Sequence, residues 1–109
     1  MNSKLYRGSL ETIILKLLAD RGEMYGYELT QIVKDMTKGQ LKLTEGALYP
    51  ALHKLEGKGV LTTETKNIGN RHRKYYSLTP QGRQVLPEIL SEMENYLKTI
   101  QLIINPKTT

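Results

Sequence analysis

The strongest constraint on this chain comes from two segments that lie close together in the sequence. Between 45 and 57, Leu48, Ala51, Leu52 and Leu55 recur at the three-and-four spacing of a buried helical face, while Gly46, Tyr49, Pro50, His53 and Gly57 fall opposite. A helix face meant for water is dense in Lys and Glu. This one is small, aromatic and nearly uncharged, the make-up of a surface that approaches another surface closely. Further on, Arg71-His72-Arg73-Lys74 follows Gly69-Asn70, where a tight turn would project the cations outward, and phosphate is the natural partner of such a tip. The pair reads as a DNA-reading helix followed by a basic hairpin.

The remaining pattern gives these segments a frame. Leu10, Ile13, Ile14, Leu17 and Leu18 form one apolar stripe after Ser9, a good N-cap, and the stripe ends before Gly22. Tyr25, Leu29, Ile32, Val33 and Met36 repeat the helical spacing, with Gly39 as the stop. Leu41 and Leu43 alternate with Gln40 and Lys42, which predicts a short strand, and Thr44 caps the third helix. Residues 60–66 and 74–78 predict the two arms of a hairpin around turn residues 67–70. Thr79-Pro80 opens a last helix, in which Pro87 predicts a kink or break near 86. The expected order is α-α-β-α-β-β-α: a mainly α fold with a small β-hairpin (α+β), that is, a winged helix-turn-helix over 1–79, a C-terminal dimerisation helix over 80–104 and a tail at 105–109.

Composition removes other classes. With 109 residues the chain fits one domain with an appendage. It has no Cys, which leaves neither disulfides nor thiolate metal chemistry and suits a reducing cytoplasm. Its most apolar run, residues 13–18, is interrupted by Lys16 and is far below the roughly 20 residues of a membrane helix, so no membrane association and a soluble, cytoplasmic protein are expected. His53 and His72 lie on different elements, no phosphate-cradling loop or nucleophile elbow is present, and catalytic residues, metal sites and cofactors are therefore not expected. Residues 1–79 hold 13 Lys plus Arg against 8 Asp plus Glu, so the net charge of +5 is carried by the front part. A basic domain joined to a neutral helix suits a nucleic-acid binder whose last element binds something else.

The candidate DNA-binding residues are Thr44, Gly46, Tyr49, Pro50, His53, Lys54, Arg71, Arg73 and Lys74. Thr44 and the backbone freed by Gly46 would meet a phosphate at the helix N-terminus, Tyr49 a sugar or thymine methyl, and the hairpin cations phosphates or a narrow minor groove. Each has a plainer alternative: Tyr49 as a half-buried core aromatic, Lys54 and Lys58 as solvated lysines, the 71–74 cluster as a solubilising tip. Tyr76, in phase with Leu78, is expected to be the inward member of Tyr75-Tyr76.

In the last helix Leu86, Leu90, Met93, Leu97, Ile100 and Ile104 repeat at alternating four and three, a coiled-coil seam, with Val85, Ile89, Tyr96 and Ile103 as a second edge. Two readings compete, a helix folded back on its own domain and a two-fold dimer, and the width of the pattern favours the dimer, with Leu86, Ile89, Leu90, Met93, Leu97, Ile100 and Ile104 as its interface. Met93, Tyr96 and Leu97 would line a ligand pocket where the paired helices meet the first helix, or else serve as dimer core.

Tyr25-Gly26-Tyr27-Glu28-Leu29, Leu48-Tyr49-Pro50-Ala51-Leu52 through Leu55-Glu56, and Arg73-Lys74-Tyr75-Tyr76-Ser77-Leu78-Thr79-Pro80-Gln81-Gly82-Arg83 occur in order over roughly residues 5 to 86, and in them the chain resembles PadR-family transcriptional regulators. The short last helix resembles the family's smaller size class. The resemblance implies a homodimeric repressor with the last helix as dimerisation arm, often released from DNA by a small aromatic or drug-like effector; dimer geometry adds the expectation of an inverted-repeat, double-stranded operator. In some small multidrug-binding relatives a tryptophan in the last helix stacks on the ligand; this chain has no Trp. A winged-helix module that binds protein or RNA is the alternative function.

Overall fold

The computed structural model describes residues 6–108. A 3-10 turn at Arg7–Ser9 leads into α1 (Leu10–Arg21), followed by β1 (Met24–Tyr25), α2 (Gly26–Met36), α3 (Glu45–Gly57), β2 (Leu61–Ile68), β3 (Arg71–Leu78) and α4 (Pro80–Ile104), with a final 3-10 turn at Pro106–Thr108. The architecture is a winged helix-turn-helix with an added long helix, as expected. The order differs in one place: the extra strand precedes α2 rather than α3.

Helix α1 is the centre of the domain. Leu10, Ile14, Leu15, Leu17 and Leu18 are all buried, and the helix packs against α3, α4 and β3. Leu15 lies off the predicted stripe and is nevertheless buried, because α1 is covered on more than one side. Ser9 precedes the helix as predicted, but its hydroxyl donates to the Tyr6 carbonyl at 3.0 Å and makes no cap bond.

The alternation at Leu41 and Leu43 is real but is not a strand. Leu43 is buried and Leu41 packs beside the core, so the alternation records a loop pressed inward. Side chains, not a ladder, satisfy its backbone: Leu41 N–H donates to Thr37 Oγ1 at 3.0 Å, and the buried Tyr6 hydroxyl donates to the Lys42 carbonyl at 2.9 Å and accepts from Thr44 N–H at 3.4 Å. Lys38 and Gly39, at φ 52° and 79°, turn the chain out of α2, where Gly39 N–H reaches the Lys34 carbonyl at 2.8 Å.

The real third strand is β1, which pairs antiparallel with β3 through Met24↔Tyr76 and Tyr25↔Tyr75, giving the order β1-β3-β2. Tyr25 therefore lies in a strand and at the N-cap of α2, not on the α2 face, and its N–H donates to Glu28 Oε1 at 3.2 Å. Strands β2 and β3 pair along their full length, from Leu61↔Leu78 to Ile68↔Arg71. Gly69 supplies the positive φ of 62° at the first position of the two-residue turn. Tyr76 and Leu78 face the core and are buried.

Of the kink or break expected near 86, the break is absent: helix α4 runs on through Pro87. Pro87 and Arg83, whose carbonyl loses its helical donor, are both exposed, so water can serve that carbonyl. The start of α4 is fixed by a close backbone crossing. A Cβ on Gly82 would overlap the Val60 carbonyl, and Thr79 ties the crossing from both sides. Its N–H donates to the Val60 carbonyl at 3.1 Å, its hydroxyl donates to the Gly59 carbonyl at 2.7 Å, and that same oxygen accepts from Gly82 N–H at 3.0 Å. Gly82→Ala is therefore expected to destabilise the fold by about 1–3 kcal/mol in urea unfolding. Gly57→Ala, a helical position with open space around it, is expected to raise stability by up to about 1 kcal/mol.

Candidate nucleic-acid interface

Helix α3 is anchored by Leu48, Leu52 and Leu55, all buried, which turns Gly46, Tyr49, Pro50 and His53 to the surface. Thr44 caps the helix, its Oγ1 accepting from Ala47 N–H at 3.3 Å. The helix continues unbroken through Pro50. The Gly46 carbonyl, which would have bonded to the missing N–H, lies on an exposed turn and is an acceptor open to water or to a base amino group.

Tyr49, His53, His72, Arg73, Lys74 and Tyr76 come together, with Tyr25, Gly26 and Tyr27, around a cleft of about 380 Å³ between α3, β3 and the start of α2. The recognition-type helix and the wing thus share one surface. Tyr49 is 40% exposed, and its hydroxyl lies 2.5 Å from where a Cβ on Gly26 would stand, so its ring leans over the first turn of α2. Gly46, Pro50 and Lys54 line a second depression of about 360 Å³ on the other flank of α3, with Arg7, Glu11 and Ala51. Thr44 and Arg71 lie outside both.

The cations differ in what already holds them. The basic run occupies β3 itself, not the turn, so its side chains alternate between faces instead of projecting together. Arg71 is exposed at the end of the hairpin and makes no ion pair among the described residues. Arg73 is half-buried, with its guanidinium 4.4 Å over the Tyr25 ring, which in turn stands edge-on to Tyr75. Lys74 lies 3.8 Å from Glu56 and 5.5 Å from the Tyr76 ring centre. Lys54 and Lys58 both reach Glu11 of α1, each at 3.2 Å. Lys66 pairs with Glu23 and sits over Tyr75; the hydrogen bond to Glu23 raises its pKa. These exposed pairs add little stability, but they orient the side chains that make them.

Sequence reasoning overlooked Tyr27 as a surface residue in its own right. It is 63% exposed at the start of α2 and lines the cleft; being out of phase with Leu29 and Val33 was the available signal. In α4, Leu86 is buried in the chain's own core, and Ile89 and Leu90 are partly buried against it. The surface part of the seam therefore begins at Met93 and continues through Leu97, Ile100 and Ile104, flanked by exposed Tyr96 and Ile103. In the single chain Met93, Tyr96 and Leu97 lie on an open helix surface.

Residues 14–88 match the family model described as the transcriptional regulator PadR-like family. The chain belongs to that family. A transcriptional regulator of Mycobacterium tuberculosis is 33% identical over 94 residues, spanning 86% of this chain and 84% of the relative. The negative transcriptional regulator PadR of Bacillus subtilis is 31% identical over 93 residues, 84% of this chain and 50% of that protein. The solved structure of a transcriptional regulator from Clostridium thermocellum superposes with a TM-score of 0.82 at 32% identity, covering 91% of this chain and 96% of the other. The chain is thus a PadR-family transcriptional regulator and not an enzyme, and no described helix is long and apolar enough to cross a membrane.

Tyr76 gives the cleft a pH-dependent signature. Burial foremost, then Tyr49 and Glu56, raise its phenol above the ordinary 10.0. Because the folded value is the higher one, its contribution is intact below pH 10 and is lost as pH rises through the raised value, where the unfolded chain ionises first. In urea unfolding between pH 9 and 11, Tyr76→Phe is expected to show a shallower fall of stability with pH than the parent chain.

Proposed function

We propose that this PadR-family protein is a homodimeric repressor that binds an inverted-repeat DNA duplex. Helix α3 would lie in the major groove and the β2–β3 wing against the neighbouring minor groove or its phosphates. The observation that carries this reading is the shared cleft surface: Tyr49 and His53 of α3 and His72 and Lys74 of the wing line one space, with Arg73 at its edge on the other face of β3 and Arg71 beyond. Thr44, Gly46 and Pro50 add the exposed first turns of α3, where N–H groups and a free carbonyl are accessible. Lys54, held by Glu11, is oriented toward the second flank. The Bacillus subtilis relative is a negative transcriptional regulator, which supports repression.

Dimerisation is supported by the free end of α4. Tyr96, Leu97, Ile103 and Ile104 are exposed, and Met93 and Ile100 only partly covered, on a helix about 37 Å long. Full burial of such side chains is worth roughly 1.5–3 kcal/mol each, a strong drive toward a second copy. Two α4 helices in contact would space the α3 helices for half-sites about one helical turn, roughly 34 Å, apart. The small aromatic effector implied by the family would then meet Met93, Tyr96 and Leu97 at that junction.

Fluorescence anisotropy against the protein's own upstream duplex and a scrambled duplex, at two salt concentrations, tests the reading. Tight, sequence-preferring and salt-steep binding is expected; equal weak binding to both would point to a protein- or RNA-interaction module instead. Arg71→Ala should weaken binding to both duplexes alike and lower the log–log salt slope by about 0.9. Leu97→Asp should shift the sedimenting species from dimer to the 12.5 kDa chain, and a parent protein that sediments at 12.5 kDa would refute the dimer.

A further inference from the structure

Helix α3 has a second flank, turned away from the wing, and one side chain of α1 governs it. Glu11 is half-buried in the first turn of α1 and lines two depressions. One is the depression with Gly46, Pro50 and Lys54; the other, of about 290 Å³, has Leu55, Lys58 and Val60 on its walls. Among the described residues Glu11 is the only acid lining either. Its two carboxylate oxygens take one cation each: Oε2 lies 3.2 Å from Lys54 Nζ, and Oε1 accepts from Lys58 Nζ at 3.2 Å. A single carboxylate thus holds two cations, one on α3 and one at its C-cap. Folding needs little of this, since both lysine side chains are more than half exposed and ion pairs at such positions are weak. Lys54 follows Pro50 by one helical turn, so it stands at the border of the face turned outward. From there a lysine stem can extend to a phosphate beside the groove or fold back onto Glu11, which neutralises it within the protein.

We propose that Glu11 sets the discrimination between the operator and other DNA, by withholding Lys54 and Lys58 from phosphate until α3 is seated in the groove. Where base contacts draw α3 in, phosphates come within reach of both ammonium groups and outcompete the one carboxylate they share. On a duplex that offers no such contacts the helix stays further out, and Glu11 keeps both cations. Unspecific affinity grows with each phosphate neutralised, so two lysines held back weaken binding to unrelated duplex more than binding to the operator. Glu11 touches no DNA and acts through the lysines as a positioning residue. Its place in the first turn of α1 also suits the helix dipole, a role that leaves DNA discrimination unmoved. The proposal rests on the duplex-binding reading above.

The test compares full-chain Glu11→Gln with Asp20→Asn, which removes the same charge at the other end of α1, where Asp20 pairs with Lys16. Anisotropy is measured on the upstream and scrambled duplexes over a salt series, with far-ultraviolet circular dichroism to check the fold. Glu11→Gln is expected to bind the scrambled duplex at least fivefold tighter than the parent chain and the upstream duplex less than twofold tighter. Its log–log salt slope on the scrambled duplex should steepen by about 0.9 for each lysine released. Asp20→Asn should stay within twofold of the parent on both. In a Lys54→Gln, Lys58→Gln background, Glu11→Gln should change neither affinity by more than twofold. Retention on heparin adds a readout that needs no operator: Glu11→Gln should elute at higher salt than Asp20→Asn. No gain, an equal gain on both duplexes, an equal gain in Asp20→Asn, or a gain that persists without the two lysines overturns the proposal. A parent that prefers its upstream duplex while Glu11→Gln matches it refutes the role of Glu11 alone. A parent with no preference refutes the repressor reading and the discrimination together, and later heparin elution of Glu11→Gln would then leave only the withholding of the lysines standing.

Discussion

The crossing of Gly82 over the Val60 carbonyl is the contact on which the geometry of this regulator depends. A long helix that leaves a small domain transmits position only if its first turn cannot swivel. Here three hydrogen bonds through Thr79 and the lack of room for a Cβ at Gly82 hold that turn against the start of β2. The wing and α4 therefore share one anchor. Leu86, Ile89 and Leu90 extend the attachment by packing onto the core around α1, and beyond Met93 the helix presents its apolar side chains to whatever covers them. Any partner of α4 is thereby coupled in position to α3 and the wing.

The charge of the chain is less available than its total suggests. Glu11 holds two lysines of α3 and the following loop, Glu23 holds Lys66, and Glu56 lies near Lys74 while accepting from the Thr63 hydroxyl. Among the described residues these carboxylates leave Arg71 and Arg73 as the wing arginines without a carboxylate of their own. Such economy suits a protein that must recognise its site without adhering to every polyanion, since unspecific affinity grows with each phosphate neutralised. It also gives the two arginines different tasks, because one stands in solvent at the hairpin end and the other is pinned on Tyr25 at the edge of the cleft.

Much of the fold was legible because its elements announce themselves by period and by end signals. The apolar phase of α3, the Thr44 cap and the Thr79-Pro80 start of α4 appear in the structure where the pattern placed them, and the turn expected over 67–70 narrows to Gly69-Asn70. The errors have physical causes. Leu41 and Leu43 alternate because a loop is drawn onto the core and bonded to the Thr37 and Tyr6 side chains, which a strand period imitates. Strand β1 is two residues long, too short to show a period, and exists because β3 offers it a partner from far along the chain. Pro87 does not break the helix because the Arg83 carbonyl, which loses its donor, is on the exposed side where water can serve it. Burial of Leu86 in the core, like the carboxylate partners of the lysines, depends on contacts distant in sequence and could not be read locally.

In the proposed complex α3 and the wing act as one DNA-reading surface, set at a fixed spacing by α4. Methylation interference on the bound duplex tests it most directly, since guanine N7 lies in the major groove and adenine N3 in the minor groove. Two symmetric clusters of guanine interference are expected about one helical turn apart, each flanked by adenine interference where the wing approaches. A single cluster, or interference confined to one groove, would contradict it.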